Sequence, residues 1–166
     1  MTRILVAGIG NIFRGDDAFG VEVARALAGG VLAREADVVD FGIRGVDLAF
    51  ALTDGYDIAI LVDAAPRGEE PGTLSVVEPQ IGDDEDEAIV SAHDLDPASV
   101  LRSVAQMGGP CPRLLLVACE PLTLGGDDGA MALSAPVAAA VAPAARLVER
   151  LVASLREADS NRRSFQ

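Results

Sequence analysis

The sequence predicts an α/β fold: a three-layer sandwich with a twisted, mostly parallel five-stranded sheet, one antiparallel strand and helices on both faces. Three observations carry this. Short, nearly uninterrupted apolar runs alternate with segments of helical periodicity, the pattern of strands buried on both faces by crossover helices. Half the residues are hydrophobic but only 4% are aromatic, so the core is built of Val, Leu, Ile and Ala. One strand-to-strand link is too short for a parallel crossover.

The elements follow in order. Arg3 to Gly8 reads as a buried first strand, followed by a glycine-rich turn and a helix from about Asp17 to Ala28. Phe19, Val23 and Leu27 form its apolar stripe, and Gly29-Gly30 ends it. Ala36 to Phe41 is the second strand, Val46 to Thr53 a short helix and Ile58 to Asp63 the third strand. Thr73 to Glu78 is the fourth. Its link to the third, Ala64 to Gly72, holds Pro66, Gly68, Pro71 and Gly72. A parallel crossover needs roughly a dozen residues or more, so the fourth strand runs antiparallel to the third. Asp96-Pro97 opens a helix as N-cap and first helical residue, and Gly108-Gly109-Pro110 stops it. Arg113 to Ala118 is the fifth strand. Ser134 to Arg156 is an Ala-rich helix that Pro143 should kink or split. The chain thus reads as one domain over 1–157, with 158–166 a frayed polar tail.

With 166 residues and a net charge of −13, the chain should be repelled by phosphate backbones and anionic membranes. We expect neither nucleic acid nor membrane as a partner. No signal-like segment precedes the first strand, so the expected location is cytoplasmic. Two cysteines, Cys111 and Cys119, make neither a disulfide framework nor a zinc site. Cys119 reads as a small buried hydrophobe and Cys111 as an incidental turn residue. The acidic run Asp83 to Glu87 reads as a solvated loop.

Chemistry gathers at one rim. The turn Gly8-Ile9-Gly10-Asn11-Ile12-Phe13 has Phe13 where a dinucleotide fingerprint needs its third glycine. The acidic pair Asp16-Asp17 also suits a cation or a catalytic carboxylate better than phosphate. Asp63 closes the third strand at the rim where open α/β sheets bind ligands, and Asp40 emerges there too. His93 is the only histidine. An antiparallel fourth strand ends at the opposite rim, and the helix from Pro97 must start at the site rim. The segment Pro79 to Leu95 therefore climbs back and brings His93 to Asp17 and Asp63. Two carboxylates and an imidazole make an open metal site or an acid–base set.

The stretch G-I-G-N-I-F-R-G-D-D-A-F-G, Gly8 to Gly20, resembles the G-x-G-N-x-x-x-x-D-[DE]-x-x-G signature of [NiFe]-hydrogenase maturation endopeptidases. L-V-D ending at Asp63, S-A-H-D-L at Ser91 to Leu95, A-C-E-P at Ala118 to Pro121 and L-S-A-P at Leu133 to Pro136 resemble its further motifs. The resemblance implies removal of a C-terminal extension from a hydrogenase large-subunit precursor after nickel insertion. Asp17, Asp63 and His93 are then the catalytic, nickel-facing residues, with the nickel supplied by the precursor. Asp16, Asp40, Gly42 and Gly45 are assigned to substrate contact. One stretch departs from the family: D-G-G-T-x-G is replaced by Asp40-Phe41-Gly42-Ile43-Arg44-Gly45. Other readings are a nickel-sensing or nucleotide-binding module without protease activity, or a related peptidase with another protein substrate. Oligomeric state is not legible.

Overall fold

The computed structural model describes residues 1–79, 97–125 and 131–165. Strands β1 (Ile4–Ile9), β2 (Asp37–Gly42), β3 (Ile58–Ala64), β4 (Leu74–Val77) and β5 (Arg113–Cys119) alternate with helices α1 (Phe19–Leu27), α2 (Gly45–Leu52), α3 (Pro97–Met107) and α4 (Ala135–Ser164). They form one sheet in the order β2-β1-β3-β5-β4. The first four are mutually parallel, and β4 pairs antiparallel with β5 at the edge.

Side-chain alternation along the strands sorts the core into two layers. Ile4, Val6, Ile60, Val62, Leu115 and Val117 face α1 and α4. Leu5, Ala7, Leu61, Leu114 and Leu116 face α2 and α3. The three central strands, β1, β3 and β5, are buried on both faces because each face is covered by a helix pair. The expected stripe Phe19, Val23 and Leu27 of α1 is buried. Asp17 lies outside that helix, on a 3₁₀ turn over Gly15–Ala18.

As the short link requires, β4 runs opposite to β3, but its neighbour is β5. The link passes over the end of β5 and is stitched to it. Ala65 N–H donates to the Cys119 carbonyl (3.0 Å), Gly72 N–H to the Glu120 carbonyl (2.8 Å), and Glu120 N–H to the Thr73 carbonyl (2.9 Å). The Glu120 carboxylate accepts the Arg67 N–H at 2.7 Å. Glu120 is buried and holds this crossing in place.

Two expectations about α4 need correction. Pro143 does not split it, because Val137, Ala140, Ala144, Val148 and Val152 form a continuous buried stripe across that position. A buried Val contributes ~1.5–3 kcal/mol, enough for several to offset the ~3 kcal/mol an interior proline costs. Nor does the helix end at Arg156: the expected frayed tail is helical through Ser164. Arg163 pairs with Asp159 at 3.3 Å, and Asp159 also accepts hydrogen bonds from Thr2, which hold its carboxyl below the usual range. Arg156 reaches the Glu35 carbonyl. The Thr2 and Glu35 contacts tie the last turns to the chain start and to the segment ahead of β2.

At the rim opposite the strand ends, Tyr56 donates its hydroxyl to Asp37 at 2.7 Å, and the Arg3 guanidinium lies 4.5 Å from its ring centre. Burial, then the hydrogen bond and charge of Asp37, push the Tyr56 hydroxyl up to about 12. This folded value lies above the unfolded one, so the contribution to stability is complete below pH ~10 and lost as pH rises through about 12. Tyr56 is the only tyrosine and tryptophan is absent, so the near-ultraviolet tyrosinate absorbance reads this group alone. The native protein should titrate near 12 and the urea-unfolded protein near ~10; a native midpoint at the unfolded value would contradict the Asp37 contact.

Candidate active site

Chain reversal places the switch point of the sheet between β1 and β3, since β2 lies on one side of β1 and β3 on the other. Ligands bind outside the strand ends at such a point. Two glycines make the local geometry possible. Gly10 has φ +147, and a Cβ there would overlap the Asp17 carbonyl. A Cβ on Gly20 would overlap the Val62 and Ile9 carbonyls. The first turn of α1 therefore rests directly on the ends of β1 and β3, next to Asp63.

Asn11 organises the turn. Its side-chain oxygen accepts the Phe13 N–H at 2.9 Å, its carbonyl accepts the Arg14 N–H at 3.1 Å, and its own N–H donates to Asp17 Oδ2 at 3.0 Å. Phe13 is 63% exposed. It lies clear of the helix–strand contact, where Gly20 is the close-packing glycine.

The two adjacent aspartates are placed differently. Asp17 is half-buried at the rim. Asp16 is 0% exposed, and its carboxylate accepts N–H bonds from Leu122 (2.9 Å), Thr123 (3.0 Å) and Ser134 (2.7 Å) and the Ser134 hydroxyl (2.8 Å). Burial by itself would raise the Asp16 carboxyl, but the donors from Ser134, Thr123 and Leu122 together hold it below the usual range. Asp63 is the penultimate residue of β3, opposite Ala118 of β5, and half-buried.

Of the other assigned residues, Asp40 sits beside Gly8 in the sheet register, with Arg25 Nε 3.9 Å from its carboxylate. Gly42, at φ +54, accepts the Gly10 N–H on its carbonyl at 3.0 Å, and Gly45 opens α2. Arg44 folds over this loop, donating to the Asp40 carbonyl at 2.5 Å and the Phe41 carbonyl at 3.2 Å. A groove of about 340 Å³ runs between this loop and the turn, walled by Phe13, Val21, Arg25, Phe41, Ile43 and Arg44.

The structure thus brings Asp17, Asp63, Asp40, Gly42 and Gly45 to one rim. His93 lies outside the described residues, as do the acidic segment 83–87 and the Asp96 cap. Among the described residues no group of three His, Cys, Asp or Glu could hold a metal ion. Sequence reasoning missed the roles of Glu120, Arg44 and Ser134. Ser134, just ahead of Ala135-Pro136, carried a helix-start signal, but its hydroxyl is turned to Asp16 and does not cap α4. Cys119 is buried, and burial, then the Asp16 and Glu120 charges, push its thiol up to about 11. That environment disfavours the thiolate a nucleophile needs.

A family model of HycI, described as hydrogenase maturation protease, matches residues 21–151, and the chain belongs to this hydrogenase maturation protease family. The HupD hydrogenase expression/formation protein of Rhizobium leguminosarum bv. viciae is 35% identical over 158 residues, 92% of this chain and 75% of the relative. The hydrogenase 2 maturation protease of Escherichia coli K12 is 32% identical over 161 residues, covering 93% and 92% of the two chains. Among solved structures, the hydrogenase-maturating endopeptidase HybD of E. coli superposes with a TM-score of 0.71 at 29% identity, covering 95% of this chain and 94% of that one. The hydrogenase 2 maturation peptidase of a Thaumarchaeota archaeon superposes with 0.69 at 31% identity, covering 92% and 99%. No described helix is long and apolar enough to cross a membrane.

Two outcomes follow from the packing. By helix propensity alone Gly20→Ala should stabilise α1 by about 1 kcal/mol. The overlap with two strand carbonyls reverses the sign, and a loss of ~1–3 kcal/mol is expected, read as a lower urea midpoint at unchanged slope. In the native protein iodoacetamide should modify Cys111 and leave Cys119 intact, with both modified in denaturant, as peptide mass spectrometry will show.

Proposed function

We propose that this chain is the endopeptidase that removes the C-terminal extension of a [NiFe]-hydrogenase large-subunit precursor after nickel insertion. The observation that carries the reading is the meeting of the Asp17 turn and the Asp63 strand end at the switch point of the sheet, in a member of the maturation protease family. His93 is the third member of the set.

The nickel belongs to the substrate. The precursor's thiolates hold it, and Asp17, Asp63 and His93 complete its surroundings when the two proteins meet. A two-carboxylate, one-imidazole set suits borderline divalent ions and leaves coordination positions open for the precursor's thiolates. Nickel in the precursor is then the signal that the subunit is loaded, and the contact registers the scissile peptide against the rim. Two routes to activated water are chemically available there: a carboxylate takes its proton as general base, or the metal polarises the scissile carbonyl. In either, the proton ends on the leaving amine. Asp40 and Gly42 border the groove through which the extended substrate segment would pass, and Gly45 follows its wall residue Arg44 in the chain.

Mixed with a nickel-loaded precursor, the wild-type protein should shorten it by one C-terminal peptide in intact-mass spectra and leave the nickel-free precursor whole. Asp17→Asn, Asp63→Asn and His93→Ala should each slow cleavage by at least ~100-fold with the thermal unfolding transition retained. Full activity in any one variant, or equal cleavage of the nickel-free precursor, would remove the assignment.

A further inference from the structure

We infer that Asp16 is a positioning residue: its buried carboxylate, gripped by Leu122, Thr123 and Ser134, sets the turn that carries Asp17 and does not meet the substrate. The inference rests on the reading of Asp17 given above and reassigns Asp16, which its sequence position had placed among the substrate contacts.

Asp16 is fully enclosed. Its two carboxylate oxygens accept from three backbone N–H groups and one hydroxyl, all within 2.7–3.0 Å. The grip is reciprocal, because the Asp16 N–H donates to the Thr123 carbonyl at 3.1 Å. All of these partners lie in the segment between β5 and α4, far along the chain. An ionised carboxylate is an acceptor at every lone pair, so the surrounding donors fix both its position and its orientation.

The consequence falls on the next residue. With the Asp16 side chain pinned inward, the 3₁₀ turn has one orientation, and Asp17 is delivered to the rim. There its carboxylate takes the Asn11 N–H at 3.0 Å and its carbonyl packs over Gly10. Ser134 extends the linkage to the first residue ahead of α4, whose buried stripe packs on the same layer as α1. The D-D pair therefore divides its work: one carboxylate anchors the turn and the other faces the chemistry.

The test uses Asp16→Asn and Ser134→Ala with the nickel-loaded precursor, measuring kcat, KM and the folded fraction. A small displacement of a reacting group costs on the order of 100-fold in rate. Asp16→Asn should lower kcat by about that factor at unchanged KM, and Ser134→Ala, which removes one of the donors, should lower kcat less, also at unchanged KM. A raised KM at unchanged kcat would show that Asp16 contacts substrate. Unchanged kcat and KM per folded molecule would reduce Asp16 to a fold-stabilising residue. Either result overturns the inference, and if Asp16→Asn does not fold, Ser134→Ala decides on the same criteria. Amide hydrogen exchange at Asn11 supplies a substrate-free readout: it should be faster in both variants, and unchanged exchange would sink the inference. Absence of cleavage by the wild-type protein with exchange accelerated in the variants would instead count against the proposed function alone.

Discussion

The contact on which the rest of the site depends is that of Gly20 with the ends of β1 and β3. Without a side chain at this position, the α1 backbone meets the Val62 and Ile9 carbonyls directly. Any Cβ would push the helix outward and carry the preceding turn with it. Since Asp17 belongs to that turn and Asp63 follows Val62, the spacing between the two carboxylates is governed by a backbone-to-backbone contact. Interiors packed at crystal-like density transmit such displacements with little loss. The glycines of the motif thus bring the helix close, and a phosphate cradle is not what they form.

Much of the architecture was legible because its signals are local. Runs such as Ile58 to Val62 and Leu114 to Val117 are apolar at consecutive positions, which a sheet covered on both faces requires. The short proline- and glycine-rich link after β3 was enough to orient β4. What it could not supply was the neighbour of β4, because pairing with β5 depends on a strand much later in the chain. Local rules also failed at Pro143 and beyond Arg156. There the buried stripe of α4 and the contacts of Arg156 with Glu35 and of Asp159 with Thr2 override propensity.

The site was legible in outline and not in detail. Strand-end logic located Asp63, Asp40 and the turn. It could not say which of two adjacent aspartates faces inward, because neighbours on a 3₁₀ turn point in different directions and the donors that select Asp16 arrive from Leu122, Thr123 and Ser134. The place of Phe13 was hidden for a related reason. It stands where a dinucleotide fingerprint would need a glycine, and the turn places it in solvent. Glu120 carried a weak signal in sequence, an acid directly after an apolar strand; its partner, the Arg67 N–H, becomes visible only when the β3–β4 link is seen to cross β5.

That crossing has a consequence for biosynthesis. As the chain emerges from its N-terminus, β4 is made before the strand it pairs with, and the β3–β4 link has no β5 end to cross. Until β5 inserts between them, β3 is a temporary sheet edge, apolar from Ile58 to Val62, of the kind that invites pairing with other chains. The sheet is therefore completed out of chain order, and the emergence of β5 is the step that closes it.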